Sequence, residues 1–333
     1  MNEYLRKELI RDVEGQAGRR GHFLKELNIP RSTYYHWRRS YDEGGIIGLT
    51  KAKPVPKMVW NRISLNEESK VLEIAMFHPE LSPRLLAIKI TDEEDFSVSE
   101  STVYRILKEH NLIALRPLPE MPAAKEWRHK TKGPDEIWQC DATSLFIVGW
   151  GYYKLIPVED DFSRKVIAWD LRPDETAFSF ADIVEMAVEN ARKEGHLVNK
   201  DSMPALYTDN GSGFTSKLMA EYLAYHGIRH ILGTPYHPQG RGKIERFNRR
   251  IKESLCLVVY CSTEELKKAI NEAIITYNAT PHESLTNVSP GDVYAGRKEV
   301  ILQKRQEKKR LTLERRKQYN LSRRNANQNN GPN

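Results

Sequence analysis

Three acids in this chain stand where an acid needs a reason. Asp141 falls within the apolar run IWQCDATSLFIV, and Asp209 closes the run PALYTD just ahead of Asn210-Gly211-Ser212-Gly213. Glu245 lies just inside a basic helical segment opened by Gly240 and Gly242. A carboxylate buried in a strand without a partner is costly, and one at the carboxyl end of a strand sits where open α/β sheets place ligands. If the three converge, they form an all-oxygen, multiply anionic pocket. Such a pocket suits hard divalent cations that keep waters and take phosphate oxygens, which points to magnesium or manganese. Two such ions about 3.5–4 Å apart activate the attacking oxygen and stabilise the leaving oxygen of a phosphodiester displaced in line. Each acid alone has a plainer reading, Asp209 as a turn residue and Glu245 as a solvated helix residue. Asp160, Asp161 and Asp170 are rivals, but the first two fall in a hairpin turn, where aspartate serves backbone conformation. No serine, tyrosine or cysteine has an activating base beside it, so no covalent protein intermediate is expected.

The elements that position these acids follow from periodicity. IWQCDATSLFIV, YYKLIPVED and KVIAWDL are β-branched and aromatic runs joined by a Gly149-Trp150-Gly151 turn and a DDFS turn, which predicts a meander. A helix follows, with Ala177, Phe180, Ala181, Val184, Ala187, Val188 and Ala191 on one stripe and Gly195 as its stop. Next come a strand at PALYTD, a helix from Thr215 to His226, a strand over Arg229 to Leu232, and the loop GTPYHPQGRG. Two helices close the unit, the last with Leu266, Ala269, Ile270, Ala273, Ile274 and Tyr277 inward. This order predicts an α/β domain with a mixed sheet and helices on both faces.

Upstream the pattern is helical. HFLKELNIPRSTYYHWRRS reads as two helices around a turn near Asn28 to Pro30, over a small core of Phe23, Leu24, Leu27 and Trp37. Its exposed face is expected to carry Arg31, Thr33, Tyr34, Arg38 and Arg39, the groups a recognition helix brings to phosphates and base edges. A second unit begins with a capping box at Ser64 and Glu67, resumes at Ser82-Pro83, and ends in a helix after Ser99. There Val103, Ile106 and Leu107 turn inward, with Thr102, Tyr104, Arg105 and Lys108 outward as a second DNA-reading face. A helical spacer gives the same pattern. Residues 121–136 lack an apolar period and read as a linker.

At 333 residues the chain has room for two or three domains. The expected division is a helix-turn-helix domain over 1–50, a second and possibly winged one over 51–120, a linker over 121–134, a catalytic core over 135–296, and a basic tail over 297–333. Hydrophobic residues at 39% and charged residues at 29% fit a folded chain, and no apolar run nears the roughly 20 residues of a spanning helix. A membrane is therefore not an expected partner. MNEYLRKELIRDVEG lacks the apolar run of a secretory signal, which predicts a cytoplasmic protein. Cys140, Cys256 and Cys261 lack zinc-ligand spacing, so neither a metal finger nor a disulfide framework is expected. The net charge of +7 is local: residues 297–333 hold 12 of the 52 Lys and Arg against 3 of the 45 Asp and Glu. Such a tail is a polyanion-binding arm or a solvated helix.

WQCDATS, YTDNGSGFTS and HPQGRGKIERFNRRIKE, with 35 residues between Asp209 and Glu245, resemble the signature blocks of the retroviral-integrase-like DDE transposases of bacterial insertion sequences. The likeness continues through GYYKLIPVEDDFSRKVIAW and ITYNATPHESLTNVSPGDVY, and so covers about residues 135–296. HPELSPRLLAIKITDEEDFSVSESTVYRILKEHNLI resembles the helix-turn-helix segment that such transposases carry ahead of the core. The resemblance implies a ribonuclease H-like fold with a mixed five-stranded sheet flanked by helices, preceded by all-α helix-turn-helix domains. It implies Asp141, Asp209 and Glu245 as catalytic residues holding two Mg2+ or Mn2+ ions. The reaction implied is hydrolytic cutting at element ends, then attack of the freed 3′ hydroxyl on target DNA. Asn248, Arg249 and Lys252 follow Glu245 at i+3, i+4 and i+7 and are expected to share its face and hold a DNA strand. Tyr236 and His237, in the preceding loop, are expected to position the cut end. The His/Cys zinc module at the front of retroviral integrases is absent.

Expected partners are double-stranded DNA, as terminal repeats and as target, and further copies of the chain in a dimer or tetramer on DNA. The expected setting is the bacterial cytoplasm and nucleoid; an accessory ATPase is not indicated. Two other readings compete. A domesticated DNA-binding regulator with a non-catalytic core has no need of all three acids, and a ribonuclease H-type nuclease or retroelement integrase has no need of two forward DNA-reading units.

Overall fold

A computed structural model describes residues 3–16, 18–50, 59–113, 131–197, 203–233 and 242–329. The chain divides into two units, Met1–Arg62 with Asn320–Asn333, and Ile63–Tyr319. No helix among the described residues is long and apolar enough to cross a membrane.

The first unit is built on α1 (Glu3–Gly15), α2 (Arg20–Glu26) and α3 (Arg31–Gly48). Asn28 makes the turn between α2 and α3 at φ +56°, a conformation asparagine tolerates because its short polar side chain bonds locally. Ile10, Val13, Leu24, Tyr34 and Leu49 form the core, with Phe23, Trp37 and Tyr41 against it. Two expectations fail here. Tyr34 is 1% exposed rather than surface-facing, because Tyr34, Trp37 and Tyr41 recur at i, i+3 and i+7 and make the inward stripe of α3. Leu27, expected inside, is exposed where the chain leaves α2.

The second unit opens with α4 (Leu65–Phe77), α5 (Pro83–Glu93) and α6 (Glu100–Glu109). Their starts are the predicted ones: Ser64 and Glu67 make a reciprocal capping box, and the Ser82 and Ser99 hydroxyls accept the Leu85 and Thr102 N–H groups. Val71, Leu86, Ile90, Val103, Ile106 and Leu107 close this small core.

The sheet that follows comprises β1 (Ile137–Cys140), β2 (Thr143–Ile147), β3 (Gly151–Asp160), β4 (Val166–Arg172), β5 (Ala205–Thr208) and β6 (Arg229–Leu232). Six strands stand where five were expected, because the first predicted run breaks at Asp141-Ala142. The break does not change register. Cys140 pairs with Val158 and Thr143 with Leu155, so β1 and β2 are two parts of one antiparallel ribbon along β3. Opposite Asp141 in that register is Pro157, which brings no N–H to the ladder. On its other edge β3 pairs with β4, while β1, β5 and β6 run parallel.

Alternation sorts side chains between the two faces. Trp138, Cys140, Ile156, Val158 and Leu206 pack under α7 (Ala177–Lys193) and α8 (Lys217–Tyr225). Leu145, Leu155, Val166 and Leu171 pack under α9 (Gly242–Leu255) and α10 (Thr263–Ala279), against Phe247, Ile251, Ile270 and Ile274. Burying each such side chain contributes about 1.5–3 kcal/mol, against well under about 1 kcal/mol for a typical surface ion pair, so these two layers hold the core together. Asn278 then acts as a strand edge. Its Nδ2 donates to Val166 O and its Oδ1 accepts the Val166 N–H, each at 3.0 Å. Ser289 caps α11 (Pro290–Tyr294).

The basic tail is one helix, α12 (Lys298–Asn329), and much of its charge is spent inside the second unit. Arg305 forks onto the Asp92 carboxylate, Lys308 donates to the Thr91 and Glu94 carbonyls, and Arg316 pairs with Glu67 at 3.1 Å. The Thr312 hydroxyl accepts the Ser97 N–H. A free polyanion-binding arm is therefore not what these three basic side chains form.

Candidate active site

Asp141 and Asp209 each lie two residues beyond the Gln139–Tyr207 pair, on parallel strands about 4.8 Å apart. Both carboxylates therefore stand at one edge of the sheet. Their charge reaches the Cys140 thiol, which burial above all, then Asp141 and Asp209, pushes well above the usual thiol range. The thiol is a buried, inert neighbour. The Gly211 N–H donates to Asp209 Oδ1 at 2.9 Å, and a Cβ on Gly211 would lie 2.9 Å from that same oxygen. A Cβ on Gly213 would fall 2.4 Å from Glu175 O. The two glycines of the DNGSG segment thus hold the loop close to its acid and to α7.

Helix α9 is fastened across this edge by polar contacts from its first two turns. Gln139, on the same face of β1 as Asp141, accepts the Ile244 N–H at 3.3 Å and donates to Asp161 Oδ1 at 2.7 Å. Lys243 bonds Asp161 Oδ2 and Asp161 O, each at 2.8 Å. Asn248 Nδ2 donates to Asp141 Oδ2 at 2.9 Å. The role of Asp161 and Gln139 as a seat for α9 was not foreseen. The available signal was a glutamine two residues ahead of Asp141 in an otherwise apolar strand, which alternation puts on the same face.

Residues 131–238 match the family profile of an integrase core domain, residues 226–290 a second integrase core profile, and residues 33–107 a homeodomain-like domain. This chain carries an integrase core. Among its relatives, an uncharacterized 39.2 kDa protein of the insertion element IS476 from Xanthomonas euvesicatoria is 26% identical over 247 residues, 73% of this chain and 67% of that protein. A Pol polyprotein of equine infectious anemia virus is 36% identical over 93 residues, 28% of this chain, and this chain spans 8% of that polyprotein. Among solved structures, the integrase catalytic core domain of HTLV-2 in complex with magnesium aligns with a TM-score of 0.37 and 23% identity, covering 49% of this chain and 98% of that one. A chain of the simian T-cell lymphotropic virus intasome aligns with a TM-score of 0.41 and 20% identity, covering 67% and 74%.

The register brings the two aspartates to neighbouring strand ends, and Glu245 does not complete a three-acid cluster with them. Among the described residues no group of three His, Cys, Asp or Glu stands close enough to hold an ion, and Glu245 is exposed on α9. The donor set at the sheet edge still fits a hard cation. It offers two carboxylates and, beside Asp141, the Oδ1 of Asn248, a buried acceptor with no hydrogen-bond partner.

Asn248 is corrected by this geometry. It is 5% exposed and turned onto Asp141, not onto the open face of α9, because i+3 from Glu245 falls toward the buried stripe of Ile244 and Ile251. Arg249 and Lys252 do lie on the exposed side. Tyr236 and His237 lie outside the described residues. In the forward modules Arg31 and Arg39 are exposed and Thr33 is half-buried; Arg38 pairs with Glu14, and Arg39 with Glu43. On α6, Tyr104 and Arg105 are exposed, Thr102 is half-buried, and an Arg105 Nη bonds the Thr102 hydroxyl at 3.3 Å. The rival acids are engaged elsewhere. Asp160 accepts from the Ser163 N–H and hydroxyl and the Asp135 N–H, and Asp170 pairs with Arg172 and Lys267.

One buried acid has no such engagement. Glu159, across from Gln139 on β3, is 0% exposed, and neither carboxylate oxygen has a hydrogen-bond partner. Burial pushes its carboxyl up to about 8 against the opposing pull of Arg164. It is neutral at pH 7.

Proposed function

We propose that this chain is a DDE transposase, a metal-dependent polynucleotidyl transferase that cuts the ends of a mobile element and joins them to target DNA. The observation that carries this is Asp141 beside Asp209 at the ends of parallel strands in an integrase core, with Asn248 of α9 bonded to Asp141. In this reading Asp141, Asp209 and Glu245 hold two Mg2+ or Mn2+ ions, which when bound supply activation of the attacking oxygen and stabilisation of the leaving one. Asn248 fixes the rotamer of Asp141, and the Gly211 N–H fixes that of Asp209, so both acids are oriented before DNA arrives. Glu245, exposed on α9 one turn ahead of Asn248, would supply the third carboxylate of that set. Arg249 and Lys252 hold the strand beside it, and the forward modules hold the terminal repeats of the element, with copies of the chain pairing the two ends.

The test is strand transfer by purified protein on DNA carrying the element ends, with magnesium, against Asp209→Asn. We expect the variant to lose roughly a hundredfold or more. Equal products from both proteins would remove the assignment. That the three acids form no cluster among the described residues favours a second reading, a sequence-specific DNA-binding regulator with a non-catalytic core. Specific binding of the ends without any strand transfer would favour that reading instead.

A further inference from the structure

Four arginines converge where α5, α9 and the segment after α10 meet. Arg84 of α5 donates to Asn287 Oδ1 at 2.6 Å, and the Arg250 guanidinium stands 5.7 Å from the centre of the Tyr277 ring. Arg164 is buried in the turn after β3, and Arg246 lies exposed one turn ahead of Arg250 on α9. Their charges meet at His282. Burial first, then Arg164, Arg250, Arg84 and Arg246, push its imidazole down to about 4, so it adds no charge of its own at neutral pH. Glu159, which shares the surroundings of Tyr277 and Arg164, is neutral as well. Among the described residues, no carboxylate pairs with Arg84, Arg246 or Arg250, whereas Arg249, Arg305 and Arg310 each have an acid partner. Uncompensated like charge destabilises the fold through self-repulsion and is relieved by an anion from outside.

We propose that Arg84, Arg246 and Arg250 form a phosphate-binding ridge that seats the backbone of a DNA duplex lying across α9. On the helix Arg246 and Arg250 sit about 100–140° around from Glu245, so this ridge is a flank beside the acids and continues the basic face begun by Arg249. The proposal rests on the reading of the chain as a DNA-processing protein, but its test needs no catalysis.

The experiment measures binding of the full chain to a random-sequence DNA duplex by fluorescence anisotropy across a salt series, without divalent metal. The proteins are the unaltered chain, Arg246→Gln/Arg250→Gln and Arg246→Lys/Arg250→Lys, with Arg84 left in place because it bonds Asn287. We expect the slope of log affinity on log salt to fall by about two in the glutamine variant and affinity to fall about tenfold, while the lysine variant keeps the slope. An unchanged slope in the glutamine variant overturns the proposal, and so does an equal loss in the lysine variant, which assigns the effect to packing. Competition by inorganic phosphate beyond its ionic strength makes this a small-anion site and overturns the duplex assignment. A reduced slope in a protein that performs no strand transfer leaves the ridge in place and removes the transposase reading alone.

Discussion

Gly211 shows how tightly an acid is held here. With the place of a Cβ only 2.9 Å from Asp209 Oδ1, alanine forces the carboxylate to swing and breaks the Gly211 N–H bond that orients it. Gly211→Ala is therefore expected to lower strand transfer by roughly ten- to a hundredfold while the melting temperature stays close to that of the unaltered chain. An unchanged rate would mean that the orientation of Asp209 is set elsewhere. Residues of this kind were partly legible in the sequence. Asp141 stands out as a carboxylate inside an apolar run, and Asp209 as one that ends a strand, where a turn residue reads the same. Tyr34 and Asn248 mislead because a helical wheel orders faces without saying which arc meets a neighbour. Tyr34 is an amphipathic ring that packs as readily as it faces water, and Asn248 is polar yet buried, satisfied on one atom only by a partner 107 positions away.

At the scale of elements, the capped starts of α4, α5 and α6 and the stripe of α7 were readable because each signal is local. The roles of α9 and α12 were not, since both depend on contacts far apart in sequence. Lys243 reaches Asp161, and α12 reaches back more than 200 positions to Asp92, Ser97 and Glu67. Burial decides which of these ties matter. Arg316 and Glu67 expose only 10% and 16% of their side chains, and Glu67 also closes the capping box of α4. Arg315 and Asp95 expose 53% and 81%. Arg316→Ala is thus expected to destabilise the second unit by about 1–3 kcal/mol, and Arg315→Ala by less than about 0.5 kcal/mol. Urea denaturation of both variants checks the ranking, and equal losses would show that α12 is held by its apolar contacts.

For the molecule as a whole, the unpartnered Glu159 ties stability to pH. Its folded value of about 8 lies above the ordinary 4.5, so across that window the fold keeps a proton that the unfolded chain releases. Stability therefore falls as pH rises, by up to about 1.4 kcal/mol per unit. His282 runs the other way. Lowered from 6.5 to about 4, it withdraws stability as pH falls through that range. Asp160, raised from 3.8 to about 6, adds to the decline only below pH 6. Between pH 6.5 and 8 Glu159 acts without them, so thermal melts over that interval are expected to slope downward in the unaltered chain and to flatten in Glu159→Gln. Parallel slopes would place the effect on another group. The shared alignment of β1 and β2 along β3 has a consequence for inheritance of the chemistry. A deletion of one codon between Ile137 and Cys140 would exchange the two sides of that ribbon, sending the carboxylate of Asp141 into the oily layer around Trp138 and Ile183. Such a frame-preserving lesion cannot yield a well-folded but idle protein, because misplacing the acid and spoiling the interior are one event.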